Sequence, residues 1–260
     1  MLQIRSLNDD LQREANEKLN EVPARIHEDL RAFRIWIEEQ PHLCANTDDQ
    51  FLIAFLRGCK YSTEKAKTKI DTYYTLKTKF PDCFNVIDID SARFREIFRM
   101  GVFLLLPIPL HNNGPRILLM RGGIPPADTF SIEEVMAVSH VLQDIALLED
   151  DYAVVSGLIF FHNSLDSLSQ DVPLKYLPKE YGGENGSIAE IIAEWDKKLD
   201  EYRDYFKKSS QWGIDEKLRI GKTKDSDDMF GFEGSFRKLE NLQLPLQGSL
   251  RLLSSTYSAE

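Results

Sequence analysis

Val22, Ile26, Leu30, Phe33 and Ile37 recur at steps of four and three through an otherwise polar stretch, predicting an amphipathic helix that stops before Pro41. Helical punctuation then repeats. Thr47 and Gln50 form a capping-box pattern ahead of FLIAFLR, Gly58 is placed to close that helix, and Ser62 can cap another running through Ala66, Ile70 and Tyr73 towards Pro81. Residues 1–100 therefore read as an all-helical N-terminal unit.

The pattern changes at VFLLLPIPL. Two apolar runs, VFLLLP and RILLMR, flank the turn-rich HNNGP and predict two neighbouring strands. A helix follows, with Ser131 and Glu134 as its capping box, Phe130 and Val135 as a hydrophobic staple, and Val135, Val138, Leu142 and Ile145 as its buried stripe. AVVSGLIFF is almost wholly apolar, which suits a strand covered on both faces. Strand, helix and strand then imply a parallel pair joined by a right-handed crossover. Ser187 and Glu190 cap a last long helix carrying Ile188, Ile191, Ile192, Trp195, Leu199, Tyr202 and Phe206. Beyond Lys208 periodicity fades, and a surface or disordered tail is expected.

Composition excludes more than it assigns. A chain of 260 residues, 42% hydrophobic and 28% charged, is ordinary for a soluble folded protein. The first residues are charged and do not resemble a secretory leader, and VFLLLPIPL is too short to span a membrane. Cys44, Cys59 and Cys83 suggest neither a disulfide framework nor a zinc site, so a reducing, cytoplasmic setting is expected. The net charge of -10 is unevenly distributed. Lys and Arg number 10 against 6 Asp and Glu in residues 57–99, but 6 against 11 in residues 1–56 and 5 against 17 in residues 122–206. Nucleic acid is therefore not an expected partner, while the basic block could touch an anionic membrane or simply be a solvated helix face.

No active site is visible. His140 and Asp144 share a helix face without further metal ligands, and Glu149, Asp150 and Asp151 read as a solvated turn. No GxSxG is present, and His162 has no evident nucleophile partner. YGGENGS matches neither a dinucleotide fingerprint nor a P-loop, and Glu180 and Glu184 would repel phosphate. Gly182, Gly183 and Gly186 are expected to turn the chain into the Ser187-capped helix. The expectation is a non-enzyme with no cofactor and no metal.

Three segments carry a resemblance. DDQFLIAFLRGCKYSTEKAKTKIDTYYTLKTKFPD, LPKEYGGENGSIAEI and GFEGSFRKLE are similar to the helical N-terminal signature, the closing segment of the lipid-binding domain and the insect-type tail of the CRAL-TRIO family, which includes cellular retinaldehyde-binding protein and alpha-tocopherol transfer protein. The resemblance implies an α/β fold: a helical N-terminal domain over 1–100, a lipid-binding domain over 101–208 with a small, mostly parallel sheet, and a tail over 209–260. It also implies a protein that encloses one small hydrophobic molecule, such as a retinoid, tocopherol or similar lipid, and carries it between membranes. Desolvating such a ligand gains on the order of 10 kcal/mol before association costs, so an apolar wall with one polar handle suffices. The wall expected here is Phe103, Leu105, Leu118, Met120, Val135, Val138, Leu142, Ile159 and Phe161, with Ser139 as the handle; each is equally an ordinary core position.

The chain departs from the family in one place. Only residues 163–175 separate GLIFFH from YLPKEYGG, whereas the family has several tens of residues there, including further strands, a gate helix and basic residues that bind phosphoinositide head groups. The chain reads as a splice form or gene-model product shortened after about residue 162, and no gate or phosphoinositide residue is assigned. The shortening should leave the apolar faces of AVVSGLIFF and of the Ser131 helix partly uncovered, favouring aggregation, rearrangement or a partner. The competing reading is an interaction module that uses this apolar surface to bind a protein, or itself, without carrying lipid.

Overall fold

A computed structural model describes residues 4–111, 113–124, 129–162 and 172–223. The helical unit begins with α1 (Asp9–Leu19), which Asn8 caps by accepting from the Leu11 amide, and continues through α2 (Ile26–Glu38), α3 (Asp49–Gly58) and α4 (Thr63–Lys79). Ile26, Leu30, Phe33 and Ile37 are buried together with Phe51, Leu52, Leu56, Ala66, Ile70 and Tyr74. The expected helical stripe is thus the core of this unit. Val22 lies outside it: Pro23 opens a short 3-10 turn and leaves Val22 exposed. Neither Thr47 nor Ser62 delivers its expected cap. Asp48 takes the N-cap position of α3, and neither Asp48 nor Ser62 makes a side-chain capping bond.

After α5 (Pro81–Phe84) and α6 (Ala92–Arg99) come the strands β2 (Phe103–Leu105) and β3 (Arg116–Met120), paired antiparallel with Leu104 opposite Leu119; β1 (Leu43–Cys44) precedes α3. The helix α7 (Ile132–Glu149) then crosses to β4 (Leu158–His162), parallel to β3 with Leu118 opposite Phe160. The strand-helix-strand reading holds, within a mixed sheet ordered β2-β3-β4. The strand is shorter than the apolar run, however. Asp150 accepts from the Ala153 amide and starts a short helix, α8 (Asp151–Val155), and Gly157, with φ 92, turns the chain into β4.

Both capping boxes read from the sequence, Ser131 with Glu134 and Ser187 with Glu190, are formed. The last long helix is interrupted at Tyr202 into α9 (Ile188–Glu201) and α10 (Arg203–Ser209). Beyond it, the start of the expected tail is anchored. The strand β5 (Gly213–Ile214) pairs with β1, and the Arg219 guanidinium forms a fork with Asp71 at 2.8 and 2.9 Å. The segment GFEGSFRKLE and the rest of the C-terminal stretch lie outside the described residues.

Two histidines, one buried and one half-buried, make the fold acid-sensitive. Desolvation lowers the pKa of His42 below its ordinary 6.5, assisted by the nearby Arg219 charge, and desolvation also lowers that of half-buried His140. The folded state therefore binds fewer protons than the unfolded one. Their stabilisation is present above about pH 6.5 and is lost as the pH falls below it. Asp90, held by Arg203 and Arg95, and Glu134, held by Arg93 and its cap, are both depressed to about 2. They add a further loss between about pH 4 and 2. Thermal melts at stepped pH should show the midpoint falling from neutrality downwards; a midpoint unchanged between about pH 7 and 5 would contradict the assignment of the histidines.

Candidate ligand-binding face

The three-stranded sheet has an apolar cluster on each face. Because side chains alternate along a strand, Phe103, Leu105 and Leu118 point to the α7 face, where Val135, Val138, Val141, Leu142 and Ile145 cover them. Met120, Leu158 and Phe160 pack against the same cluster and are only partly buried. The opposite face holds Leu104, Leu106, Ile117 and Leu119 with Tyr176, Leu177 and Ile191, and here Ile159 and Phe161 pack, again partly buried. The ten expected wall residues therefore divide. Phe103, Leu105, Leu118, Met120, Val135, Val138 and Leu142 share one cluster, whereas Ile159 and Phe161 lie across the sheet from them. The missing partners of the first group on β4 are Leu158 and Phe160. In a run with no polar alternation, sequence offered no sign of this parity.

Exposure separates the set a second way. Leu118 and Val138 are 0% exposed and Leu142 is 1%, so the α7 stripe is covered, contrary to the expectation that it would be partly uncovered. The strand is different: Leu158, Ile159, Phe160 and Phe161 are all half-buried. Among the described residues β4 pairs with β3 alone and stands at the edge of the described sheet. Ser139 is buried, and its Oγ accepts from the Gln143 amide at 3.1 Å. At the top of β2 the indole of Trp195 donates to the Leu105 carbonyl at 3.2 Å, fixing α9 over the sheet.

The Gly pair is a structural turn. Gly182 is left-handed with φ 74, and a Cβ on Gly183 would fall 1.9 Å from the Leu177 carbonyl oxygen. The amides a phosphate would need are already spoken for: Gly183 donates to Pro178, Asn185 to Leu177, and Ile188 to the Glu180 carboxylate at 3.0 Å. The acidic and histidine candidates are also committed. Asp144 accepts from Lys77 at 2.5 Å and from the Tyr73 hydroxyl at 2.8 Å, while the His140 ring packs tilted against Phe84 with its Nδ1 3.6 Å from the Cys83 sulfur. Glu149 pairs with Lys198, Asp150 with Arg116 and Asp151 with Arg5. Among the described residues no group of three or more His, Cys, Asp or Glu is placed to hold a metal, and no helix is long and apolar enough to cross a membrane.

Comparison with known proteins gives the same direction as the segments quoted above. Residues 22–94 match the family model of the Pinta-like UBA domain. The human protein named alpha-tocopherol transfer protein-like is 24% identical over 250 aligned positions, covering 70% of this chain and 72% of the relative. Its mouse counterpart is 27% identical over 158 positions, covering 59% and 44%, and Clavesin-1 of Xenopus laevis is 24% identical over 143, covering 55% and 42%. Since 70% of 260 residues is about 182, about 68 of the 250 aligned positions have no counterpart here. The chain is thus similar, over about 70% of its length, to proteins named alpha-tocopherol transfer protein-like, in line with the CRAL-TRIO resemblance of its own segments.

Proposed function

We propose that the chain binds a small hydrophobic ligand, a retinoid, tocopherol or similar lipid, and passes it between membranes without any catalytic step, in a reducing, cytoplasmic setting. The observation that carries this reading is the half-buried apolar strand Leu158–Phe161 at the edge of the described sheet. It adjoins the point where the sequence breaks from the family pattern. The names of the relatives support carriage of a lipid in general; the identity of the ligand is left to experiment. Within the ten-residue wall, Ile159 and Phe161 have surface to offer a ligand on one face of the sheet, and Met120 on the other. The fully buried members, Phe103, Leu105, Leu118, Val135, Val138 and Leu142, form the backing layer, with Ser139 behind them.

The position of β4 at the edge of the described sheet favours a second reading, in which a protein strand, from a partner or a second copy, adds to the sheet and covers the same residues. Native mass spectrometry of the purified chain with extraction of bound lipid separates the two. One apolar molecule per chain supports carriage, and ligand-free hetero- or homo-oligomers support strand addition.

A further inference from the structure

Two basic stretches far apart in sequence meet at one cleft. Residues 57–99 are the basic block noted above, and residues 207–222 carry five Lys and Arg against two Asp and Glu in a chain of net charge -10. The Ile214 amide donates to Thr78 Oγ1 at 2.9 Å, and β5 pairs with β1, so the second stretch is laid against the C-terminal end of α4. Between them lies a cleft of about 510 Å³ whose lining includes Pro41, Cys44, Pro81, Trp212 and Leu218.

The charges at this cleft are sorted. Asp71 and Glu216 both bind the buried Arg219 guanidinium, Asp215 accepts from the Lys217 amide, and Lys77 is paired with Asp144. Lys207, Lys208 and Lys217 are exposed, with Lys208 standing 5.7 Å over the Trp212 ring; Asp82, beside Pro81, and Asp215 are exposed carboxylates. Apolar side chains are also exposed on these two stretches. Phe80 is 38% exposed, Leu218 52% and Ile220 82%. Water-exposed aliphatic and aromatic side chains among lysines that outnumber the exposed carboxylates Asp82 and Asp215 match a membrane-water interface. The apolar tips enter the headgroup boundary while the ammonium groups meet lipid phosphates.

We propose that this face docks the chain onto an anionic bilayer. The proposal rests on the transfer reading for its purpose, since a lipid carrier must meet its membranes, but it concerns residues separate from the ligand-binding sheet. The test is co-sedimentation of the full 260-residue chain with vesicles of phosphatidylcholine alone or with phosphatidylserine added. Binding is expected to require phosphatidylserine, to fade with salt, and to weaken about thirtyfold in the Lys208→Gln/Lys217→Gln double variant. Ile220→Ser should also weaken it, whereas Lys18→Gln, on α1 and outside the cleft lining, should not. All are exposed positions, and unchanged thermal melts would show that the variants fold.

Equal binding to both vesicle types, pelleting without vesicles, or wild-type binding by the double variant would each overturn the proposal. Lipid retention measured on the same preparations keeps the two readings apart. Retained lipid with no vesicle binding sinks the docking alone, and vesicle binding by a lipid-free chain sinks the carriage alone.

Discussion

Replacing Glu21 with alanine is expected to destabilise the chain by about 3–5 kcal/mol, because it strands a buried guanidinium. The Arg57 side chain is 2% exposed and that of Glu21 is 0%; they are joined at 2.7 and 3.2 Å, and the Tyr61 hydroxyl donates to the same carboxylate at 2.7 Å. Without Glu21, a positive charge is left in the core of the helical unit with no counter-ion, which ranks among the most destabilising changes a single substitution can make. Burial raises the Glu21 carboxyl pKa, but the Arg57 and Tyr61 bonds outweigh it and hold it below its ordinary value. Denaturant titration of Glu21→Ala, Arg57→Met and the double variant Glu21→Leu/Arg57→Met would read the effect. The double variant should be markedly more stable than Glu21→Ala, since two apolar residues leave nothing uncompensated. A loss of about 1 kcal/mol or less in Glu21→Ala would mean that water reaches this pair.

A second pair of variants separates the layer that holds the fold from the layer that meets ligand. Leu142→Ala removes a side chain that is 1% exposed at the centre of the α7 cluster, and should cost about 2–5 kcal/mol through lost burial and the cavity left behind. Phe161→Ala removes a half-buried ring on β4 and should cost about 1–2 kcal/mol, while lowering lipid retention more than any change on α7. If Leu142→Ala abolished retention without affecting stability, the ligand would lie under α7, and the division of the wall between backing layer and contact layer would be wrong.

Local chemistry was legible where its partners were local. The boxes Ser131–Glu134 and Ser187–Glu190, and the stripe Val135, Val138, Leu142 and Ile145, needed only spacings of three and four. The helix α1 escaped because its apolar positions, Leu11, Ala15 and Leu19, are sparse within a polar stretch; they are buried against Val155 and Tyr152, more than a hundred residues away. The same distance hid the pairing of Lys77 with Asp144, which turned an apparent metal candidate into a clasp between α4 and α7. The anchored segment after Lys208 likewise owes its order to Leu43–Cys44 and Asp71 rather than to any periodicity of its own. For the ligand face, the apolar character of LIFF could be read, but its parity could not. Which of Leu158, Ile159, Phe160 and Phe161 face α7 is set by the register against Leu118 and Leu119.

That strand is also where the account is most exposed, since lipid carriage depends on four half-buried residues doing the work of a closed pocket. The most direct measurement is native mass spectrometry of the purified 260-residue chain beside Phe161→Ala, with extraction and identification of what each carries. The account predicts a monomer holding one apolar molecule, with occupancy reduced in the variant. A lipid-free wild-type chain, whether monomeric or joined to other chains through β4, would contradict it.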